Sequence, residues 1–280
     1  MAHNIDPSLV ASLPQRTVET QLRSPRGLTT YVFKGASLFD YATAAGLMPP
    51  GGALANQYFL AAADDGFAIT LSMAEVAPGF SDKQVILATE QNGEAVRKGV
   101  RLVVPGDDLG GRSVYGLATL EVRSVPSVDL SSAPVSAFVS LQGSLDRSGD
   151  VDRESLEAMP VSAIETRPYK SHGEHITPAT AFAGVRVWHL LDGAGIRLDE
   201  NAHEPFLRKI VVARDAEGYA VVIAGGEIEP RFQNAPFIVA LTEAGRPIDE
   251  DDGGLRLIAP YDLAGARSVK GIASLEVREG

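Results

Sequence analysis

The sequence contains no cysteine among its 280 residues. This absence excludes disulfides, thiolate metal ligands, cysteine nucleophiles and iron–sulfur clusters. The sequence also has no Gly-x-Gly-x-x-Gly, phosphate-loop or Gly-x-Ser-x-Gly arrangement. Nucleotide-dependent and serine-hydrolase chemistry therefore have no support.

Positive charge and long apolar runs are scarce as well. The formal net charge is −11 at pH 7, which argues against a nucleic-acid partner because affinity for phosphate backbones comes from clustered Lys and Arg. No apolar run approaches the ~20 residues that a membrane helix needs, so we expect no membrane partner. The start of the sequence has no leader pattern. We expect a cytoplasmic chain, although the lack of cysteine also fits an oxidising compartment.

What the sequence does contain is a globular composition, with 45% apolar and 22% charged residues, and a long internal repeat. Residues 6–14 (DPSLVASLP) resemble residues 152–160 (DRESLEAMP), at a separation of roughly 150 residues. Further matches follow in the same order: residues 33–46 with 182–195, 65–67 with 217–219, Glu75 with Glu227, 99–105 with 254–260, 112–116 with 267–271, and 120–123 with 275–278.

Colinear matches of this kind predict two homologous units, each long enough to have its own core. We place the first domain at residues 1–124 and the second at residues 138–280. Residues 125–137 are rich in Ser and Pro and are predicted to be the linker.

Each unit is predicted to be strand-dominated with a few helices, an α+β fold. A short helix ends at Pro14 or Pro160, and a second helix ends at Gly46 or Gly195. Segments of alternating or β-branched residues predict strands at 17–22, 161–166, 210–213, 219–223 and 237–241. Residues 138–143 predict a strand without a counterpart before residue 6, so the first unit is expected to be trimmed or to borrow a strand.

The ordered motifs resemble the sulfite oxidase-like molybdopterin-binding domain. In the second unit the resemblance rests on residues 182–191 with Ala194-Gly195, 217–219, 253–260 and 265–271, and in the first on residues 33–35, 65–67, 101–106 and 111–116. Active members of that family hold molybdenum through a cysteine, so a cysteine-ligated molybdenum oxidoreductase is impossible here. The chain resembles a cysteine-less branch that looks like a binder of free pterins, and residues 13–20 are similar to its pattern.

The resemblance implies cofactor-binding positions at Arg267, Ser268 and Lys270. A guanidinium, an ammonium and turn amides together suit an anion; a turn with solvated charges explains them equally well. Lys270 is replaced by Tyr115 in the first unit, where Arg112 and Ser113 remain. The second unit is therefore expected to be the better binding site.

The segment Ser171-His172-Gly173-Glu174-His175 lies beside the position of the family's catalytic loop. His172 and His175 are candidates for acid–base catalysis, and Arg167 and Tyr169 are candidates for ligand contact. A polar hairpin tip is the plain alternative. A metal site would need a third ligand such as His189 or His203, and no metal is predicted.

Two glutamates and one tryptophan complete the candidates. Glu75 and Glu227 could bind the guanidine-like edge of a pterin, or could stabilise helix starts. Trp188 is expected in the core.

These observations lead to one functional prediction and one alternative. The prediction is a molybdenum-free binding or sensing protein for a pterin-like or other small anionic heterocycle, as a monomer or homodimer. The alternative is a cofactor-free or metal-assisted lyase, isomerase or hydrolase that uses His172 and His175. A scaffold that lost its ligand is a third possibility, and whether the chain is an enzyme stays open.

Overall fold

The computed structural model describes residues 2–24, 27–49, 54–128, 138–166, 179–249, 254–263 and 265–280. Strands dominate this part of the chain and the helices are short, which confirms the α+β prediction. None of the helices in these ranges is long and apolar enough to cross a membrane.

In the first half the strands are β1 (His3–Asn4), β2 (Gln15–Ser24), β3 (Gly27–Ser37), β4 (Gln57–Ala63), β5 (Ala68–Ser72), β6 (Ile86–Gln91), β7 (Glu94–Ala95), β8 (Arg101–Val103) and β9 (Leu117–Ser124). The helices are α1 (Pro7–Ser12), α2 (Leu38–Ala44) and α3 (Met73–Val76), with 3₁₀ turns at Leu54–Asn56 and Gly110–Arg112.

In the second half the strands are β10 (Phe138–Gly143), β11 (Gly149–Asp152), β12 (Val161–Thr166), β13 (Thr180–Arg186), β14 (Lys209–Asp215), β15 (Ala220–Ala224), β16 (Ile238–Glu243), β17 (Arg246–Pro247), β18 (Arg256–Ile258), β19 (Val269–Lys270) and β20 (Ile272–Glu279). The helices are α4 (Arg153–Glu157), α5 (Val187–Ala194) and α6 (Gly225–Ile228), with 3₁₀ turns at Pro205–Arg208 and Gly265–Arg267.

The strands form two sheets in each half, and no sheet in the described ranges mixes strands from both. In the first half the orders are β1-β9-β4-β5 and β2-β3-β6, with β7 and β8 both paired to β6. In the second half they are β11-β10-β20-β14-β15 and β12-β13-β16-β18-β19, with β17 paired to β16. The predicted extra strand is β10, which lies between β11 and β20; in the first half β1 pairs directly with β9.

Local chemistry explains why matching segments adopt matching elements. The side chains of Asp6 and Asp152 cap α1 and α4 by accepting hydrogen bonds from backbone amides. A Cβ at Gly35 or Gly184 would lie 2.0 Å from a carbonyl oxygen of the neighbouring strand. Only glycine therefore fits at these two positions, where each sheet has a bulge.

Each half exchanges an aromatic side chain with the other. Phe232 of the second half lies in the core of the first half, where Leu207 joins it. Phe80 of the first half packs against the core of the second half, which also includes Ala55. The two halves also meet through a backbone hydrogen bond, which the amide of Asp108 in the first half donates to the carbonyl of Phe232 in the second.

Candidate functional site

The predicted ligand residue Arg267 lies deep in the protein. Its guanidinium donates to Asp262 at 2.6 and 2.7 Å and to Glu227 at 2.8 Å. It also donates to the hydroxyls of Ser72 and Ser81 in the first half. Both of these carboxylates are buried with it, so Arg267 holds the two halves together through a charge-assisted network.

Arg112 forms the corresponding network from the other side. It donates to Asp107 at 2.6 and 2.7 Å, to Glu75 at 2.8 Å, and to the side chain of Gln233 in the second half at 3.0 Å. Burial alone would lower the pKa of Arg112, but the carboxylates raise it further than burial lowers it. Burial raises the pKa of Glu75, and Arg112 offsets part of this rise. Arg112 therefore stays charged.

Glu75 and Glu227, candidates for a pterin edge, are thus partners of these arginines. Glu227 also accepts a hydrogen bond from the amide of Ala224 at the start of α6. Glu227 therefore also stabilises the start of α6, which was the alternative interpretation of this residue from the sequence.

The two predicted serines support the turns before the arginine networks. The hydroxyl of Ser113 accepts from the amide of Val104, and that of Ser268 from the amide of Ala259. Lys270 is exposed on β19, opposite Arg256 on β18. Arg267 and Lys270 are therefore close in the sequence, but Arg267 is buried and Lys270 is exposed.

Four candidate residues, Arg167, Tyr169, His172 and His175, lie outside the described ranges. The enzyme hypothesis built on the two histidines consequently stays a prediction. His203 lies beside the ring of Phe67, with centroids 5.6 Å apart, and His189 lies on α5. Among the described residues no group of three or more His, Asp or Glu side chains could hold a metal ion. Trp188 packs edge-on against Phe206, as expected for a core residue.

Sequence reasoning missed Arg101. The residue is only 3% exposed. Its guanidinium lies 3.6 Å from the ring centroid of Tyr115 and 4.9 Å from that of Phe33. Its polar partner is the neutral side chain of Gln91, at 3.1 Å, while its Nε has no partner. Burial lowers the pKa of Arg101, and the tyrosines offset part of this shift.

Arg256 occupies the matching position in the second half, where Lys270 replaces Tyr115. Arg256 pairs with the carboxylate of Glu243 at 2.5 Å. Glu243 aligns with Gln91, and both lie at the end of matching strands, β16 and β6. A buried arginine thus has a carboxylate partner in one half, whereas in the other half no described carboxylate forms an ion pair with it. The sequence shows this difference when its two halves are aligned, as Gln91 in the first half and Glu243 in the second.

A cleft of about 470 Å³ lies beside Tyr115 and Gln91. The half-exposed ring of Tyr115 separates this cleft from the buried guanidinium of Arg101. Arg97 and Lys98 add positive charge to its wall; Lys98 pairs with Asp64 at 3.2 Å. The cleft therefore combines an aromatic face with amides, two cations and the carboxylate of Glu94.

Comparisons with known proteins identify no family. No family model matches the chain, and no curated protein matches it. Among solved structures, the sulfane dehydrogenase SoxCD from Paracoccus pantotrophus aligns with a TM-score of 0.42 and 16% identity. The alignment covers 57% of this chain and 42% of that one. A similarity of this size carries no conclusion about family or function.

Proposed function

We propose that this protein is a molybdenum-free binding or sensing protein for a small anionic heterocycle of the pterin type. We place the site in the first half, at the cleft beside Tyr115. The observation that carries the proposal is Arg101, a buried cation with no ion-pair partner among the described residues. Burial of an unpaired charge is costly, and an anionic ligand would supply the missing negative charge.

The shape and chemistry of the cleft support an aromatic ligand. Tyr115 offers a ring face, and the rings of Tyr115 and Phe33 already hold the guanidinium of Arg101. The amide of Gln91 can both donate and accept, as a pterin edge requires. Rotation of the Tyr115 side chain would open the path from the cleft to Arg101.

The second half is the weaker candidate on the same grounds. Lys270 favoured it in the sequence, but Arg256 there already pairs with Glu243. A ligand anion at that place would compete with a carboxylate that belongs to the protein.

We also propose that the chain consists of two copies of a sulfite oxidase-like domain. The matching sheets, the glycines at matching bulges and the matching arginine networks support a duplication. The residues do not fit a thiolate-bound molybdenum centre because the chain lacks cysteine. They fit the organic part of such a cofactor better, through aromatic and cationic groups.

The decisive experiment is a titration of 6-carboxypterin followed by its fluorescence, in wild-type protein and in Gln91→Glu. The new carboxylate would pair with Arg101 as Glu243 pairs with Arg256. We expect affinity to fall at least tenfold, or about 1.4 kcal/mol. Gln142→Glu adds the same charge at an exposed distant site and should bind like wild type.

Two results would contradict the proposal. One is the absence of saturable binding to wild-type protein, and the other is equal affinity in Gln91→Glu and wild type. Gln91→Glu is preferred to removal of Arg101, because loss of a buried arginine could also impair folding.

A further inference from the structure

A second cleft, of about 670 Å³, is lined by residues of both halves and includes Tyr115 in its wall. Gly66, Phe67 and Ser113 line it from the first half, and His203 and Arg208 from the second. Arg208 is exposed, and no described residue forms an ion pair or side-chain hydrogen bond with its guanidinium. The cleft thus joins a small apolar floor to a cation without a described partner, and Asp65 also lines it, with its carboxylate accepting from the amide of Phe67.

The matching surface of the second half is covered by the chain itself. After β9, the amide of Val125 donates to the carbonyl of Asn56, and the side chain of Asn56 donates back to the carbonyl of Val125. The amide of Val128 then donates to the carbonyl of Gly218 at 3.1 Å. Residues 125–128 therefore cross this surface as an extended segment, which we call the covering segment.

Glycine at position 218 is what lets the covering segment approach. A Cβ there would lie 1.7 Å from the carbonyl oxygen of Val128. Gly66 matches Gly218 in the sequence and in backbone conformation, with φ of 87° against 90°. None of the described residues lies within 4 Å of a Cβ built on Gly66.

The first half repeats the beginning of this arrangement. The amide of Gly280 donates to the carbonyl of Arg208 at 2.9 Å, as Val125 does to Asn56. From Gly280 to Gly66 the described residues leave the surface uncovered, and no described residue donates to the carbonyl of Gly66. The acceptor and the space that the covering segment uses are therefore both present and unused.

We propose that this cleft binds a short extended peptide from a partner protein, in the manner of the covering segment. An amide of the peptide would donate to the carbonyl of Gly66, beside a β-branched or small apolar side chain in the place of Val128. Arg208 and His203 select an acidic residue next to it. This site is separate from the proposed heterocycle site, and neither proposal depends on the other.

The test is a titration of ¹⁵N-labelled protein with the acetylated and amidated peptide Val-Pro-Ser-Val-Asp, the sequence of residues 125–129. We expect saturable shifts at the amides of Gly66, Phe67 and His203, with little change at Gly218, where the chain's own segment lies. Gly66→Ala should weaken binding at least tenfold, because a Cβ would block the approach. Gly245→Ala is the matched control, since Gly245 also has positive φ, at 75°, and is exposed elsewhere.

A second measurement tests the site in the case that the free peptide binds weakly. Attaching Pro-Ser-Val-Asp after Gly280 raises its local concentration to the order of millimolar. We expect a higher melting temperature than with an attached Pro-Gly-Gly-Gly, and loss of the gain in Gly66→Ala.

Equal melting temperatures for the two tails, together with no saturable shift at Gly66, would overturn the peptide site. So would peptide binding that is unchanged in Gly66→Ala. Displacement of the peptide by 6-carboxypterin at this cleft would reassign it to a small molecule and count against the proposal.

Discussion

Arg101 and Arg256 occupy the same place in the two halves, but only Arg256 pairs with a described carboxylate. One position, Gln91 against Glu243, accounts for the difference. The second half pairs its buried cation with one of its own carboxylates. The first half keeps an uncompensated cation under an aromatic ring. The comparison teaches that two buried arginines at matching positions can differ in whether a carboxylate of the protein pairs with them.

The largest expected effect concerns what the halves have in common, their buried arginine networks. Arg267→Ala would leave Asp262 and Glu227 without their cation, and Arg112→Ala would leave Asp107 and Glu75 with Lys83 alone. We expect each to lower the free energy of unfolding by about 3–5 kcal/mol, as for a broken buried pair. Urea denaturation measures this loss. If one of the two variants were as stable as wild type, the networks would not be equivalent.

The exchanged aromatic residues should give the next effect, with a difference between the halves. Phe232→Ala removes a fully buried ring and is expected to cost about 3–5 kcal/mol. Phe80 is only partly buried, so Phe80→Ala should cost about half as much. Thermal unfolding of both variants compares them directly. A larger loss of stability for Phe80→Ala than for Phe232→Ala would contradict this prediction.

Glu243→Gln would give the second half the amide that the first half has at Gln91, with Lys270 still in the place of Tyr115. We expect a loss of about 1 kcal/mol from the broken pair, and a second binding event for 6-carboxypterin. Isothermal titration calorimetry would report the stoichiometry, which should rise from one to two. An unchanged stoichiometry would mean that Tyr115, which the second half lacks, is also required.

The smallest effect concerns Glu229, which stands where the first half has Ala77. Burial raises the pKa of Glu229, and Arg231 offsets part of the rise. The folded state then holds a proton more tightly than the unfolded state, so stability falls as pH rises from the unfolded pKa through the folded one. Glu229→Gln should flatten this slope, measured by chemical denaturation between about pH 4 and pH 7. An identical slope in wild type and Glu229→Gln would contradict this assignment.

Much of the fold could be predicted because local patterns and packing agree. Residues 138–143 form β10 with the predicted bounds, and α5 ends just before Gly195, as predicted. The α+β class followed from β-branched segments separated by glycines. Contacts between distant segments were beyond these patterns. The exchange of Phe80 and Phe232 depends on how two sheets meet, which no local period encodes.

The site was predicted less well than the fold, for an electrostatic reason. Arg267 and Arg112 belong to motifs that suit an anion, and sequence alone could not show that buried carboxylates already occupy them. Arg101 lies within a strand-like segment and looks structural. Its significance depends on the absence of a carboxylate neighbour, and a missing partner is harder to read from a sequence than a motif.

The exchange of Phe232 into the core of the first half also affects the order in which the protein can be made. A ribosome synthesises the first half completely before Phe232 emerges, so its core stays incomplete until most of the chain exists. A nascent first half with this gap exposes apolar surface of the kind that chaperones bind. The core of the first half can therefore be completed only after the segment that carries Phe232 has been synthesised.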